Sequence, residues 1–259
     1  GSDWVARGTG DFNADGRSDI LLQNKTDGSC YLWETDGHSL IDYGNVGGWA
    51  PGANWIAKGT GDFNGDGYSD ILLQNNNDGA CFVWFMNGKT TIDYGFVAWT
   101  PGAHWQVKET ADFNGDGKSD ILLQNALDGS CFIWELNGKN LVDFGNVGWT
   151  PGAHWQVKGT GDFNGDGESD ILLQDSRDGA CFIWELKGRE LLDYAFVGWT
   201  PGANWQAKGA IDVNGDGKSD ILLQNTQDGA CFVWEMNDKA YTDYAFVGWI
   251  PGPQWMVSL

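Results

Sequence analysis

Residues 155–204 read WQVKGTGDFNGDGESDILLQDSRDGACFIWELKGRELLDYAFVGWTPGAN, and nearly the same text precedes and follows them. Aligning Trp4, Trp55, Trp105, Trp155 and Trp205 superimposes almost everything downstream, in steps of 51, 50, 50 and 50 residues. The one length change is the additional glycine in Gly47-Gly48, and all 16 tryptophans fall at three positions of the unit. A period near 50 marks a propeller or a solenoid, because a single unit of this kind cannot bury its own apolar faces.

Turn chemistry divides each unit into four strand-like segments. The first runs from the tryptophan to the aspartate of G-D-F. The second, S-D-I-L-L-Q-N, has a continuous apolar run that suits a strand covered on both faces. An Asp-Gly pair, such as Asp78-Gly79 or Asp128-Gly129, turns into C-F-I-W-E, which is rich in aromatic and β-branched residues. Asn87-Gly88 and Asn137-Gly138 predict tight type I′ hairpins leading into the fourth segment. W-T-P-G-A-H-W then carries the chain onward, and no stretch of eleven residues keeps a helical period. Five units of four antiparallel strands predict an all-β fold, a five-bladed β-propeller, in one domain over residues 1–259. The repeats lie at about 4–54, 55–104, 105–154, 155–204 and 205–254, and residues 255–259 restart a first strand. A linear solenoid would need distinct capping repeats, whereas the first and fifth units resemble the middle ones.

Every unit carries D-x-N-x-D-G-x-S-D. Oxygen side chains at positions one, three, five and nine, with glycine at six for a sharp turn, are what a hard divalent cation requires. The residue at position seven varies freely, as expected where only its backbone carbonyl coordinates. The predicted ligands are Asp11, Asn13, Asp15, Arg17 and Asp19 in the first loop and Asp62, Asn64, Asp66, Tyr68 and Asp70 in the second. The third has Asp112, Asn114, Asp116, Lys118 and Asp120, and the fourth Asp162, Asn164, Asp166, Glu168 and Asp170. Asp212, Asn214, Asp216, Lys218 and Asp220 complete the set. An EF-hand would place a glutamate at position twelve on a helix; here that position is leucine within a strand, so the expectation is a calcium loop on a β-hairpin, about five Ca²⁺ per chain. The alternative is five metal-free Asx-type turns.

The motif D-F-N-G-D-G-K-S-D-I-L resembles the FG-GAP or VCBS repeats of integrin α-subunit propellers and of many secreted bacterial proteins, over essentially the whole chain. The resemblance implies a propeller whose calcium loop joins strands one and two. It implies less about activity, since that family includes lectins, adhesion modules and domains appended to enzymes.

Acidic residues number 36 against 15 basic ones, a net charge of −21 that disfavours nucleic acid and anionic membrane surfaces as partners. No apolar run approaches the ~20 residues that span a bilayer, so no membrane insertion is expected. Five cysteines cannot all pair internally. Cys30, Cys81, Cys131, Cys181 and Cys231 share one position in an apolar strand and read as small buried hydrophobes.

Strand alternation places the calcium loops on one face and the W-T-P-G-A-H-W connections on the other. Trp49, Trp99, Trp149, Trp199 and Trp249, with Asn54, His104, His154 and Asn204 nearby, offer apolar platforms beside hydrogen-bonding groups, a combination suited to sugar rings. The second tryptophan of each pair reads equally well as packing between blades. With three histidines, and no nucleophile, base and orienter set, catalysis finds no support. The expectation is therefore a secreted or cell-surface, multivalent glycan-binding module, with a module binding an extracellular protein as the alternative.

Overall fold

The computed structural model describes residues 3–47, 50–102, 104–197 and 202–249. They form twenty strands in five four-stranded antiparallel sheets, with no helix among the described residues. The fold is all-β, of the five-bladed β-propeller class. The restarted strand over residues 255–259 lies outside the described residues.

The first sheet contains β1 (Trp4–Gly10), β2 (Asp19–Asn24), β3 (Cys30–Thr35) and β4 (Leu40–Asn45). The second contains β5 (Trp55–Gly61), β6 (Asp70–Asn75), β7 (Ala80–Asn87) and β8 (Thr90–Trp99). In the third are β9 (Trp105–Ala111), β10 (Asp120–Asn125), β11 (Cys131–Asn137) and β12 (Asn140–Val147). The fourth has β13 (Trp155–Gly161), β14 (Asp170–Asp175), β15 (Cys181–Lys187) and β16 (Glu190–Phe196). The fifth has β17 (Trp205–Ile211), β18 (Asp220–Asn225), β19 (Ala230–Asn237) and β20 (Ala240–Trp249). In each sheet the strands pair in chain order. The second strands are the most deeply buried, as their unbroken Ile-Leu-Leu runs require.

The hairpin between the third and fourth strands differs from the type I′ expectation. Asn87 pairs with Thr90, so Gly88 and Lys89 are the two central residues. Gly88 has φ 56°, and Lys89 is not in the left-handed region, so only the first central position needs a glycine. The Asn-Gly pair is displaced by one residue from the place a type I′ turn demands, because Asn87 remains a ladder residue.

Contacts divide the chain into two compact units, residues 1–110, 116–123 and 134–144, and residues 111–115, 124–133 and 145–259. Within the first, a buried glutamine links sheet to sheet: Gln23 Nε2 donates to Gly28 O (3.1 Å) and Trp55 O (2.9 Å), while its Oε1 accepts from Ala57 N (3.1 Å). Gln74 bridges to Trp105 O and Val107 N in the same way. Thr60 Oγ1 donates to Thr9 O at 2.6 Å, and Thr110 Oγ1 to Thr60 O at 2.7 Å, along the first strands. Phe12, Leu32 and Val46 of the first repeat share a core cluster with Ile71, Trp84 and Met86 of the second.

The second unit repeats these links. Gln174 Nε2 donates to Gly179 O and Trp205 O, and its Oε1 accepts from Ala207 N at 3.0 Å. Phe163, Ile183 and Val197 pack with Ile221, Trp234 and Met236.

Replacing Gln174 by alanine removes the bridge and leaves the Ala207 N–H and two carbonyls without their partner. The expected loss is about 2 kcal/mol, read as a lower urea midpoint with an unchanged slope.

Candidate functional site: acidic loops and an opposite aromatic face

Each D-x-N-x-D-G loop joins the first and second strands of its sheet. In the second loop Asp62 Oδ1 accepts from Gly65 N (2.6 Å) and Asp66 N (3.2 Å), and Oδ2 from Gly67 N (2.8 Å). Asn64 Oδ1 accepts from Asp66 N at 2.8 Å, and Asp66 Oδ1 from Tyr68 N at 3.0 Å. The fourth loop repeats the pattern through Asp162, Asn164 and Asp166, and the fifth through Asp212, Asn214 and Asp216. In the first loop Asp11 holds Asp15 N and Gly16 N, and Asp15 holds Arg17 N. In the third, Gly115 N donates to Asp112 and Lys118 N to Asp116. The loop glycine at position six is left-handed, for example Gly67 at φ 88° and Gly167 at φ 88°.

The aspartate at position nine does something the motif did not announce. Asp70 is fully buried; its Oδ2 accepts from Phe63 N at 3.0 Å and its Oδ1 from Met86 N at 2.9 Å. It fastens the start of the loop to the third strand. Asp19, Asp170 and Asp220 make the same two bonds, and Asp120, also fully buried, accepts from Leu136 N. Burial pushes the Asp70 and Asp170 carboxyls up to about 7, against the pull of those amide donors. The available signal was a carboxylate immediately before an all-apolar strand, a place where only a fully hydrogen-bonded acid is tolerated.

The donors suit a hard cation in kind: carboxylates, an amide oxygen and a free choice of side chain at position seven. As placed, their oxygens turn onto the loop's own amides. Among the described residues no three acidic, imidazole or thiol groups gather in a set that could hold a metal ion. Lys118 Nζ lies 3.5 Å from Asp116 Oδ2, giving that carboxylate a cationic neighbour already.

On the opposite face the Asp-Gly turns meet the Pro-Gly connections. Gly52 N donates to Asp27 O at 2.9 Å, and a Cβ on Gly28 would lie 2.3 Å from Gly52 O, so this close approach requires glycine. Trp99 and Trp249 are 63% and 69% exposed, with rings 4.3 and 4.4 Å from Phe96 and Phe246. Trp149 packs on Tyr194 and Trp184 instead. Trp49 and Trp199 lie outside the described residues. Asn54, His104 and Asn204 are exposed, and half-buried His154 sits 3.7 Å from Asp175, itself paired with Arg177. The second tryptophan of each pair stands edge-on against the third strand of its own sheet, as in Trp55 on Phe82 and Trp155 on Phe182.

All five cysteines are free and buried, and burial raises Cys30, Cys81 and Cys181 to about 12, so none of these three is a ready nucleophile. Glu109 stands where the other repeats have Gly8, Gly59, Gly159 and Gly209. Burial pushes its carboxyl up to about 7 although Lys108 is near.

A model of the FG-GAP-like repeat matches three overlapping stretches, residues 11–73, 62–123 and 112–173. No curated protein matches the chain. Among solved structures, the Photorhabdus luminescens Tc holotoxin pore is similar at 15% identity and TM-score 0.60, covering 96% of this chain and 12% of the toxin chain. A luciferin-regenerating enzyme matches at 10% identity and TM-score 0.60, over 96% of this chain and 78% of that one. A nidogen/laminin complex matches at 9% identity and TM-score 0.59, over 93% and 80%. At these identities the likeness concerns the fold alone.

Two local departures from the repeat make direct tests. Ala14 holds φ 59° where the other loops have glycine, so Ala14→Gly is expected to raise stability by about 1 kcal/mol, read by urea denaturation. Glu109 keeps its proton in the folded state after the unfolded chain has lost it. The folded state is therefore penalised as pH rises from the ordinary glutamate range through about 7. Glu109→Gln should melt higher than the parent at pH 8, and the difference should close by pH 4.

Proposed function

Because the chain belongs to the FG-GAP-like repeat family, we propose that it is a non-catalytic interaction scaffold, secreted or displayed at a cell surface, whose acidic loops take up calcium. The observation that carries the interaction reading is the solvent face of the outer strands. Ile92, Tyr94, Phe96 and Trp99 are all exposed along β8, and Tyr241, Tyr244, Phe246 and Trp249 along β20. Runs of large apolar side chains on the same strand of more than one repeat are what a protein-binding surface displays. The net charge of −21 steers this surface away from nucleic acid and anionic lipid.

Calcium would be held, in the second repeat, by Asp62, Asn64, Asp66, the Tyr68 carbonyl and Asp70, and by the equivalent residues elsewhere. Its role is structural: it would offset the mutual repulsion of three aspartates per loop and lock the first hairpin of each sheet. A second reading, glycan binding, rests on the exposure of Trp99 and Trp249 beside Phe96 and Phe246, which leaves flat apolar faces open to a sugar ring.

Calcium titration of the metal-free chain should saturate near five ions, one per acidic loop, and raise the melting temperature. A melting temperature indifferent to both calcium and chelator would refute the calcium assignment. Screening glycan and extracellular-protein arrays at millimolar calcium separates the other two readings. The scaffold reading expects a protein ligand whose retention is lost on replacing Tyr94 and Tyr244 by lysine. Retention on glycans, abolished by Trp99→Ala with Trp249→Ala, would favour the sugar reading instead.

A further inference from the structure

The first strand of each repeat carries one cation at the same position: Arg7, Lys58, Lys108, Lys158 and Lys208. Strand pairing skips this residue in β1, β5, β13 and β17, where the register shifts between its two neighbours. A bulge residue lacks a partner across the ladder and its side chain is re-aimed. The side chains of Arg7, Lys58, Lys158 and Lys208 are half-buried, and burial is the first cause lowering the pKa of each. Among the described residues no carboxylate acts on any of these four, in a chain where acids outnumber bases by more than two to one. Arg7 repels Lys58, and Arg7 Nε is buried without a hydrogen-bond partner among the described residues.

At Lys58 this cation meets a cavity. A polar hollow of about 150 Å³ lies within the first unit between the second sheet and β9, lined by Lys58, Gln74, Asn75, Asn76, Trp105 and Gln106 along with Gly79. Gln74 spends both ends of its amide on the sheet-to-sheet bridge, and Asn75 Oδ1 accepts from Asn77 N. That leaves the Lys58 ammonium and the NH₂ groups of Asn75, Asn76 and Gln106 as donors around one small space, without a carboxylate among the described lining residues. The equivalent positions do not assemble this set. The first repeat has Lys25 and Ile56 in place of Asn76 and Gln106, and the fourth has Asp175 in place of Asn75.

We propose that this cavity binds a compact tetrahedral oxyanion, with Lys58 as its counter-charge and Asn76 and Gln106 as amide donors. The space, roughly five times a water's share of liquid volume at ~30 Å³, suits such an ion with a little retained water. The anion supplies a negative charge that none of the described lining residues provides. The site is independent of the calcium loops and of the outer-strand surface.

The test is calorimetric titration of the whole chain with sodium sulfate, against sodium chloride at equal ionic strength, alongside thermal melts. Sulfate stabilises any folded protein through exclusion from its surface, so the comparison that counts is with Lys58→Met, which keeps the apolar stem and removes the charge. Saturable binding near one ion per chain, weakened at least tenfold in Lys58→Met, is expected. The variant should melt no lower than the parent in sulfate-free buffer. Asn76→Asp, at an exposed turn, sets a carboxylate at the cavity mouth and should abolish binding while the fold persists; it decides the question if Lys58→Met does not fold. Absence of saturation, or equal affinity in parent and variants, would overturn the assignment.

Discussion

The buried glutamine at the end of each second strand is the interaction on which the array depends. A four-stranded sheet with both faces apolar has no reason to choose its neighbour's register, since hydrophobic burial is non-directional. The side-chain amide supplies that direction. Gln23 and Gln174 each give their N–H groups to carbonyls on their own turn and on the next first strand, and take an N–H from that strand. Because the amide is buried, every one of these bonds must be made, and a slip by one residue would leave both donor and acceptor unsatisfied. The core clusters that hold Phe12 with Trp84, and Phe163 with Trp234, then fill a spacing that the amide has already set.

Close approach follows from the same geometry. A Cβ on Gly59 would come within 2.5 Å of the Thr110 side chain, and one on Gly159 within 3.0 Å of the Gly209 backbone. At Gly59 and Gly159, first strands drawn together by glutamine bridges leave room only for glycine, whereas the third repeat carries Glu109 at the equivalent position. The bulge immediately before that glycine turns Lys58 or Lys158 out of the ladder. Close packing and half-buried cations are thus two products of one constraint. The buried aspartate performs the complementary task at the other end of the strand, holding Phe63 N and Met86 N so that the acidic loop has a fixed base.

Periodicity made strand number, strand order and the opposition of the two faces legible, because they depend on spacing and on alternation of apolar residues. Side-chain bonding with two competing uses was harder to read. D-x-N-x-D-G specifies a turn that the aspartates complete with their own amides, as Asp62 does, and equally a donor set for a cation. Both uses demand the same residues, so the motif cannot rank them. That Asp70 also fastens Phe63 N and Met86 N was not legible, because burial is invisible in a motif; only its place at the head of an apolar strand hinted at that second task. Asn87-Gly88 suggested the wrong turn class for a similar reason, since the pair is defined by composition and the turn by register.

Near-identity of the repeats also constrains what the molecule can recognise. Equivalent surfaces on successive sheets give equivalent contacts, and a ligand that meets one of them weakly is held firmly only by engaging several, through effective concentration. Selectivity for a single small ligand therefore has to come from positions where the repeats disagree. Such positions include Glu109 against glycine, Asp175 against asparagine, and Asn76 with Gln106 against Lys25 with Ile56. Asn76 and Gln106 line the cavity at Lys58, Glu109 stands on the first strand β9, and Asp175 closes the second strand β14. The shared residues build the array, and the exceptions to the repeat are where one blade gains chemistry that its neighbours lack.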